Sequence, residues 1–265
     1  MATQPVRVGV FGAAGRMGAE VCRAVAADPE LVLAAGVDPR FPEVGLPADI
    51  DATGVRLGPG ADVLAEAQVT VAVDFTTASS ARHNARWCAS HGTHDVIGTS
   101  GLDRADHEAL AAAFAGRANC LVAPNFAIGA VLMIRLAELA APFFETAEII
   151  ELHHDAKADA PSGTAMHTAE RLAAASAEWG ADPTRVENLA GARGAVGAGS
   201  IRVHSVRLRG LVAHQEVLLG TTGQTLTVRH DSYDRTSFMP GVVLAVKRIA
   251  QHPGLTVGLD AYLGL

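Results

Sequence analysis

The spacing of apolar positions changes character once along this chain, near residue 146. Before that point, short apolar runs of strand length alternate with segments of helical period. Val6–Phe11 is rich in valine, is bounded by Gly12 and is too short for a helix, so it predicts a buried strand. From Arg16 to Ala27 the residues Met17, Val21, Ala24 and Val25 recur at helical spacing, and Asp28-Pro29 stops the pattern. Leu31–Val37 then closes a βαβ unit. The alternation continues with strands predicted over 69–75, 93–97 and 119–123, and helices over 79–91, 103–114 and 128–140. Strands that read as unbroken apolar runs between helices are those of a parallel sheet covered on both faces. From Thr146 to His154 apolar and polar residues alternate instead, and they do so again over 201–208, 214–219 and 224–230, which predicts a smaller mixed or antiparallel sheet with one face less buried. A helical pattern over 237–251 and a last strand over 255–258 are expected to rejoin the first domain. Residues 41–60, with Pro42, Pro47 and Pro59, predict a surface excursion, and 188–200, rich in glycine and alanine, a flexible loop. The fold class expected is α/β, with a second α+β domain inserted.

Several strand ends carry chemistry. Gly12, Gly15 and Gly18 form GxxGxxG between the first strand and helix: a tight turn, close backbone approach to a pyrophosphate, and helix N–H groups facing it. Glycine-rich turns also occur there for purely structural reasons. Asp38 follows the second strand and can accept hydrogen bonds from ribose hydroxyls. Alone it favours NAD, whereas Arg40 can pair with a 2′-phosphate, so the two together predict relaxed use of NADH or NADPH. The plainer reading is that both solvate the loop before Pro42. Thr76, Gly98 and Thr99 also lie at strand ends, where an open parallel sheet lines its ligand crevice, although turn chemistry alone accounts for such residues too.

Composition narrows the class. The 265 residues are 49% hydrophobic and 18% charged, enough for a substantial core and for two modest domains. A net charge of −7 offers no positive field for nucleic acid. Cys22, Cys88 and Cys120 are widely spaced and form no CxxC pair, which predicts reduced core thiols. No basic and apolar leader precedes the first strand and no stretch has the length a bilayer needs, so a cytoplasmic protein with no membrane partner is expected.

The densest chemistry lies in ELHHDAKADAPSGT, residues 151–164. In a strand Glu151 and His153 share one face and His154 takes the other. A histidine is the natural proton donor near neutral pH, and Lys157 adds a positive charge. Pro161-Ser162-Gly163-Thr164 opens a helix, so free N–H groups and two hydroxyls converge where a carboxylate would be stabilised. Taken singly, Ser162 is as well explained as a helix cap and Lys157 as a solvated charge. No metal is expected, since the paired histidines have no third ligand at suitable spacing. Arg202, Arg207, Arg209 and His214 offer a second anion contact, but alternating charges on a sheet are usually a wet face, and none of the four is counted as a site residue.

These motifs resemble the dihydrodipicolinate reductase family over nearly the whole chain. The resemblance rests on VGVFGAAGRMG at 8–18, DFT at 74–76, GTSG at 98–101, APNFAIG at 123–129 and above all ELHHDAKADAPSGTA at 151–165, while RHDSYDRTSFMPGVVLAV at 229–246 is similar to actinobacterial members. It implies a Rossmann dinucleotide-binding domain over 1–125 and 235–265, and a substrate-binding and oligomerisation domain over 126–234 that builds a homotetramer. It implies His153 as general acid, Lys157 as its catalytic assistant that also holds a substrate carboxylate together with His154, and Ser162, Gly163 and Thr164 as the loop that grips a substrate carboxylate. On the cofactor side it implies Gly12, Ala13, Ala14, Gly15, Arg16, Met17, Asp38, Arg40, Thr76, Gly98, Thr99, Ser100, Ala123, Pro124, Asn125 and Phe126. The implied reaction is hydride transfer from NADH or NADPH to a cyclic imine dicarboxylate, 4-hydroxy-tetrahydrodipicolinate, with loss of water, in lysine and diaminopimelate biosynthesis. Two departures stand out: Ser100 replaces a second threonine, and His94-Asp95 lie ahead of a strand where apolar residues are commoner. The competing readings are a non-catalytic NAD(P) sensor, which has no need of the HHDAK stretch, and a different amino-dicarboxylate dehydrogenase.

Overall fold

The computed structural model describes residues 4–265. The chain divides into two compact units, one running to Phe126 and resuming from Phe238 to Leu265, the other from Ala127 to Ser237.

In the first unit, β1 (Val6–Phe11), α1 (Arg16–Ala27) and β2 (Leu31–Val37) form the βαβ unit that the apolar spacing predicts. The excursion over 41–60 ends in a short strand, β3 (Arg56–Gly58), which is absent from the sequence expectation: at three residues it is too brief to show a period. There follow α2 (Asp62–Glu66), β4 (Val71–Asp74), α3 (Ala78–His91), β5 (His94–Ile97), α4 (Arg104–Phe114) and β6 (Cys120–Val122). All pairings in this seven-stranded sheet are parallel, in the order β3-β2-β1-β4-β5-β6 and then a final strand, Leu255–Val257, beside β6. The strand order reverses at β1, between β2 and β4, and in such sheets the crevice beyond the carboxyl ends at that point receives the ligand.

Alternation along the strands sends Phe11, Ala72, Ile97 and Cys120 to one face, where they pack with Leu64 of α2, Ala81, Ala85 and Cys88 of α3 and Leu110 and Phe114 of α4. Val8, Val10, Val71, Val73, Val96 and Leu121, all buried, take the opposite face. All three cysteines are buried and free. One residue breaks the pattern. Asp95 lies inside β5 rather than ahead of it, on the face of Ala72 and Cys120; it is fully buried and, among the described residues, neither carboxylate oxygen has a hydrogen-bond partner. Burial, reinforced by the negative charge of Asp74, pushes its carboxyl well above the ordinary carboxylate range.

The second unit carries α5 (Ile128–Ala140), β7 (Thr146–His153), α6 (Gly163–Ala175), β8 (Ala195–Val196), β9 (Arg202–Arg207), β10 (Ala213–Thr221) and β11 (Gln224–Ser232). Its five-stranded sheet is mixed, in the order β11-β10-β7-β9-β8, with only β7 and β9 parallel. Part of the segment expected as a loop over 188–200 is thus an edge strand, since Ala195 and Val196 pair with Val203 and Arg202. Met133, Ile134 and Ala137 of α5 and Ala165, Ala169 and Leu172 of α6 pack on Ile149, Val203, Val217 and Leu219 of the sheet. The other face is the more open one, which is why these strands alternate in sequence. In the first unit, α7 (Met239–Arg248) and β12 (Leu255–Val257) complete the layers, with α7 packed against α1 and β1.

Candidate active site

At the carboxyl end of β1 the backbone turns through Gly12, whose φ of +69° is one that other residues rarely adopt. Gly18, in the first turn of α1, lies against this turn: a Cβ there would sit 2.0 Å from the Gly12 carbonyl oxygen. The loop is largely satisfied from within. Gly12 and Ala13 N–H groups donate to the Val37 carbonyl at 2.7 and 3.1 Å, Gly15 N–H to the Gly12 carbonyl at 2.8 Å, and Ala14 N–H to Asp38 Oδ2 at 3.2 Å. The donors left at this helix end are those of Arg16, Met17 and Gly18, because the cap residue Gly15 has no side chain to offer them. Together the positive φ, the close approach and the unfilled helix N-terminus fit a dinucleotide pyrophosphate.

Asp38 is nearly buried, and its carboxylate is claimed by Arg40 in a two-pronged pair, Nε to Oδ1 at 2.8 Å and Nη2 to Oδ2 at 3.0 Å. Arg40 holds the Asp38 carboxyl below the ordinary range against the opposing effect of burial. The two side chains therefore act as one neutralised group, a relation their spacing in sequence does not reveal. At the end of β4, the fully buried Asp74 organises the next loop. Its Oδ1 accepts from the Thr76 N–H at 2.7 Å and hydroxyl at 2.6 Å, and its Oδ2 from Asn84 Nδ2 at 2.8 Å. Gly98 N–H donates to the Asp74 carbonyl at 2.9 Å, and the buried Thr99 hydroxyl to the Thr76 carbonyl at 3.3 Å, so the loops after β4 and β5 are tied together. Ser100 is exposed beside them. After β6, Ala123 N–H donates to the Ile97 carbonyl at 3.0 Å; Pro124 is exposed, Asn125 half-buried, and Phe126 buried against Phe75 with ring centroids 5.4 Å apart. All the cofactor candidates thus gather along the carboxyl edge of the parallel sheet. Asp74 is the organiser that sequence reasoning passed over; an acid closing an otherwise apolar run was the available signal.

In the second unit, β7 brings Ile149, Glu151 and His153 onto the face covered by α6. Ile149 joins the core, while Glu151, fully buried, lies under the N-terminus of α6. His153 Nδ1 hydrogen-bonds to Glu151 Oε2 at 2.5 Å, and the Ser162 N–H donates to Glu151 Oε1 at 3.2 Å. Arg207 sits opposite His153 on β9 and grips the same carboxylate, Nη1 to Oε2 at 2.9 Å and Nη2 to Oε1 at 2.8 Å. Arg207 Nη2 also donates to the Asp159 carbonyl at 2.7 Å, and the Asp159 carboxylate accepts from Lys157 Nζ at 2.7 Å. Burial by itself raises the Glu151 carboxyl, but Arg207, Ser205 and His153 together hold it below the ordinary range. Burial lowers the His153 imidazole; Glu151 opposes that, and Lys157 and Arg207 lower it further.

Ser162 caps α6, its Oγ accepting from the Ala165 N–H at 3.2 Å, so its side chain does serve as a cap. The free donors at that helix end are the Gly163 and Thr164 N–H groups. His154 lies beyond the end of β7 and is exposed. The reading of Arg207 as part of a wet face is corrected: its side chain is 19% exposed and lies within the Glu151 network. His214 is likewise buried, bonded to Asp231 at 2.7 Å, whereas Arg209 is exposed and paired with Asp155. Among the described residues, no group of three or more potential ligands is placed to hold a metal.

Family models for the N-terminal and C-terminal parts of dihydrodipicolinate reductase match residues 6–126 and 129–263. The 4-hydroxy-tetrahydrodipicolinate reductase of Cutibacterium acnes is 51% identical, with 98% of this chain and 99% of that protein aligned. That of Nocardia farcinica is 49% identical over the same shares. A solved structure, dipicolinate-bound dihydrodipicolinate reductase from Paenisporosarcina sp. TG-14, superposes with a TM-score of 0.85 at 37% identity, covering 97% of this chain and 99% of that one. On both family models and on these relatives, the chain belongs to the dihydrodipicolinate reductase family.

Proposed function

We propose that this protein is an NAD(P)H-dependent oxidoreductase that reduces 4-hydroxy-tetrahydrodipicolinate to tetrahydrodipicolinate, with loss of water, in lysine and diaminopimelate biosynthesis. The observation that carries this reading is the buried Glu151–His153 hydrogen bond of 2.5 Å at the N-terminus of α6, an imidazole held beside free helix N–H groups. An imidazole so held suits proton delivery, and the N–H groups suit a carboxylate. In this reading the Gly163 and Thr164 N–H groups and the Thr164 hydroxyl hold one substrate carboxylate, and Ser162 shapes that turn as its cap. Lys157 exchanges Asp159 for a substrate carboxylate, with His154 beside it, and assists the charge development. His153, as imidazolium, gives its proton from Nε2 to the substrate ring.

The reduced nicotinamide, when bound, supplies the hydride. Arg16 and Met17 N–H groups receive the pyrophosphate in the cradle of Gly12, Ala13, Ala14 and Gly15, and Asp38 receives the ribose. Because Arg40 already neutralises Asp38, the repulsion that a lone carboxylate would exert on a 2′-phosphate is offset, which supports use of both NADH and NADPH. Thr76, Gly98, Thr99, Ser100, Ala123, Pro124, Asn125 and Phe126 line the nicotinamide side.

Among the described residues no helix is long and apolar enough to cross a membrane, and the reading places the enzyme in the cytoplasm with a small dicarboxylate as its partner. It also makes the protein a homotetramer joined through the second unit, for which Val196 and Leu226 offer exposed apolar surface. Light scattering on purified protein checks the assembly, and a monomer would refute it. For the activity, purified protein is given freshly generated substrate with each cofactor in turn. Substrate-dependent oxidation of NADH or NADPH is expected, and none with either cofactor would discard the reading.

A further inference from the structure

Glu151 cannot touch a substrate, being fully buried, yet it accepts hydrogen bonds from His153 Nδ1, from Arg207 Nη1 and Nη2 and from the Ser162 N–H, and the Ser205 side chain is a further donor to it. A carboxylate has about four lone-pair sites, so its capacity is filled. An ionised carboxylate can only accept, so the imidazole must carry its hydrogen on Nδ1, and the neutral ring then presents the Nε2 lone pair. In the imidazolium the second hydrogen is on Nε2, the one atom through which a proton can pass to a bound molecule. The same carboxylate reaches the residue that caps α6, and Arg207 also holds the Asp159 carbonyl, whose side chain takes Lys157. Proton donor, helix end and lysine loop therefore meet on one buried ion pair.

We propose that Glu151 and Arg207 are positioning residues for the proton transfer: Glu151 fixes the His153 tautomer and stabilises its imidazolium, and Arg207 keeps Glu151 anionic and clamps the Lys157 loop to it. The inference rests on the reductase reading for its kinetic consequences, but not for the tautomer. The charged groups facing His153 are Glu151 on β7, Arg207 on β9 and Lys157 in the following loop with its partner Asp159; from α6 come only N–H dipoles. Within this set Glu151 alone bonds to the ring. A glutamine at 151 cannot replace it, because Arg207 donates to both oxygens and whichever way the amide turns, its NH₂ faces a guanidinium N–H.

The test uses full-length protein with cofactor. In Glu151→Gln, the limb of the pH profile of kcat/KM on which activity is lost as pH rises is expected to move down by roughly one to two units, with cofactor Kd unchanged. Glu151→Asp should recover part of that shift. Ring ¹⁵N resonances of labelled histidine, with His153 assigned against His153→Gln, should show the Nδ1–H tautomer in the wild type and lose it in Glu151→Gln; this needs no substrate, so it remains decisive if the reductase assay fails. Because a buried unpaired charge destabilises, the double variant Glu151→Met with Arg207→Leu removes both charges and should refold the site as well as either single variant or better, with the limb still displaced. An Nε2–H tautomer in the wild type, an unmoved limb in Glu151→Gln, or a limb that recovers with stability in the double variant overturns the proposal.

Discussion

The fully buried Asp95 offers a stability test whose sign and pH dependence can both be worked from its surroundings. Its two oxygens have no partner among the described residues, so the folded protein bears the desolvation of a polar group without a compensating hydrogen bond, about 1–3 kcal/mol. Asp95→Val places branched methyl groups, suited to a central strand, within the reach of the carboxylate they replace, on a face already formed by Ala72, Ile97 and Cys120. The variant should be more stable by ~1–3 kcal/mol, which for a chain of this size raises Tm by roughly 2–4 °C for each kcal/mol. The sign of the pH dependence follows from the raised carboxyl. Below the unfolded value of about 3.9 both states hold the proton, and no further penalty arises. As pH rises past it, the unfolded chain releases the proton while the folded one keeps it, so wild-type stability falls until the folded value is reached. The advantage of Asp95→Val must therefore widen from about pH 4 to about pH 7. Urea unfolding of both proteins at the two pH values measures it. A variant no more stable than wild type, or an advantage that does not change with pH, would refute the reasoning.

His153→Gln is expected to lower kcat by about 10²–10⁴-fold, the usual contribution of a positioned acid, with cofactor Kd intact; equal loss of both would make His153 a structural residue. Arg40→Ala removes the group that neutralises Asp38, and should weaken NADPH by about tenfold or more while sparing NADH, as read by fluorescence titration. An unchanged preference would show that Arg40 does not read the phosphate. Gly18→Ala forces a Cβ to within 2.0 Å of the Gly12 carbonyl oxygen, so the turn must open; a stability loss of about 1–3 kcal/mol and a weakened Kd for both cofactors are expected in melting and titration experiments.

Local pattern and long-range geometry divide the work unevenly. Val6–Phe11 and Leu31–Val37 announced a covered parallel sheet because strands buried on both faces must be apolar throughout, and Thr146–His153 announced a different sheet because one open face enforces alternation. The same alternation put Glu151 and His153 on one side, and their hydrogen bond is the direct result. Very short elements, β3 and β8, left no trace, since two or three residues define no period. What no local pattern contains is the register between strands. Only the parallel pairing of β7 with β9 sets Arg207 against His153, across 56 residues from Glu151, and turns a residue that reads as wet into the partner of a buried carboxylate. Only the packing of α3 and α4 on the sheet buries Asp95 with no hydrogen-bond partner among the described residues. By itself, the sequence determined the two kinds of sheet and the chemistry available at their edges, because periodicity and residue type act within a few neighbours. The tertiary structure decided which charges meet and which are stranded, because pairing and burial depend on distances between segments far apart in the chain.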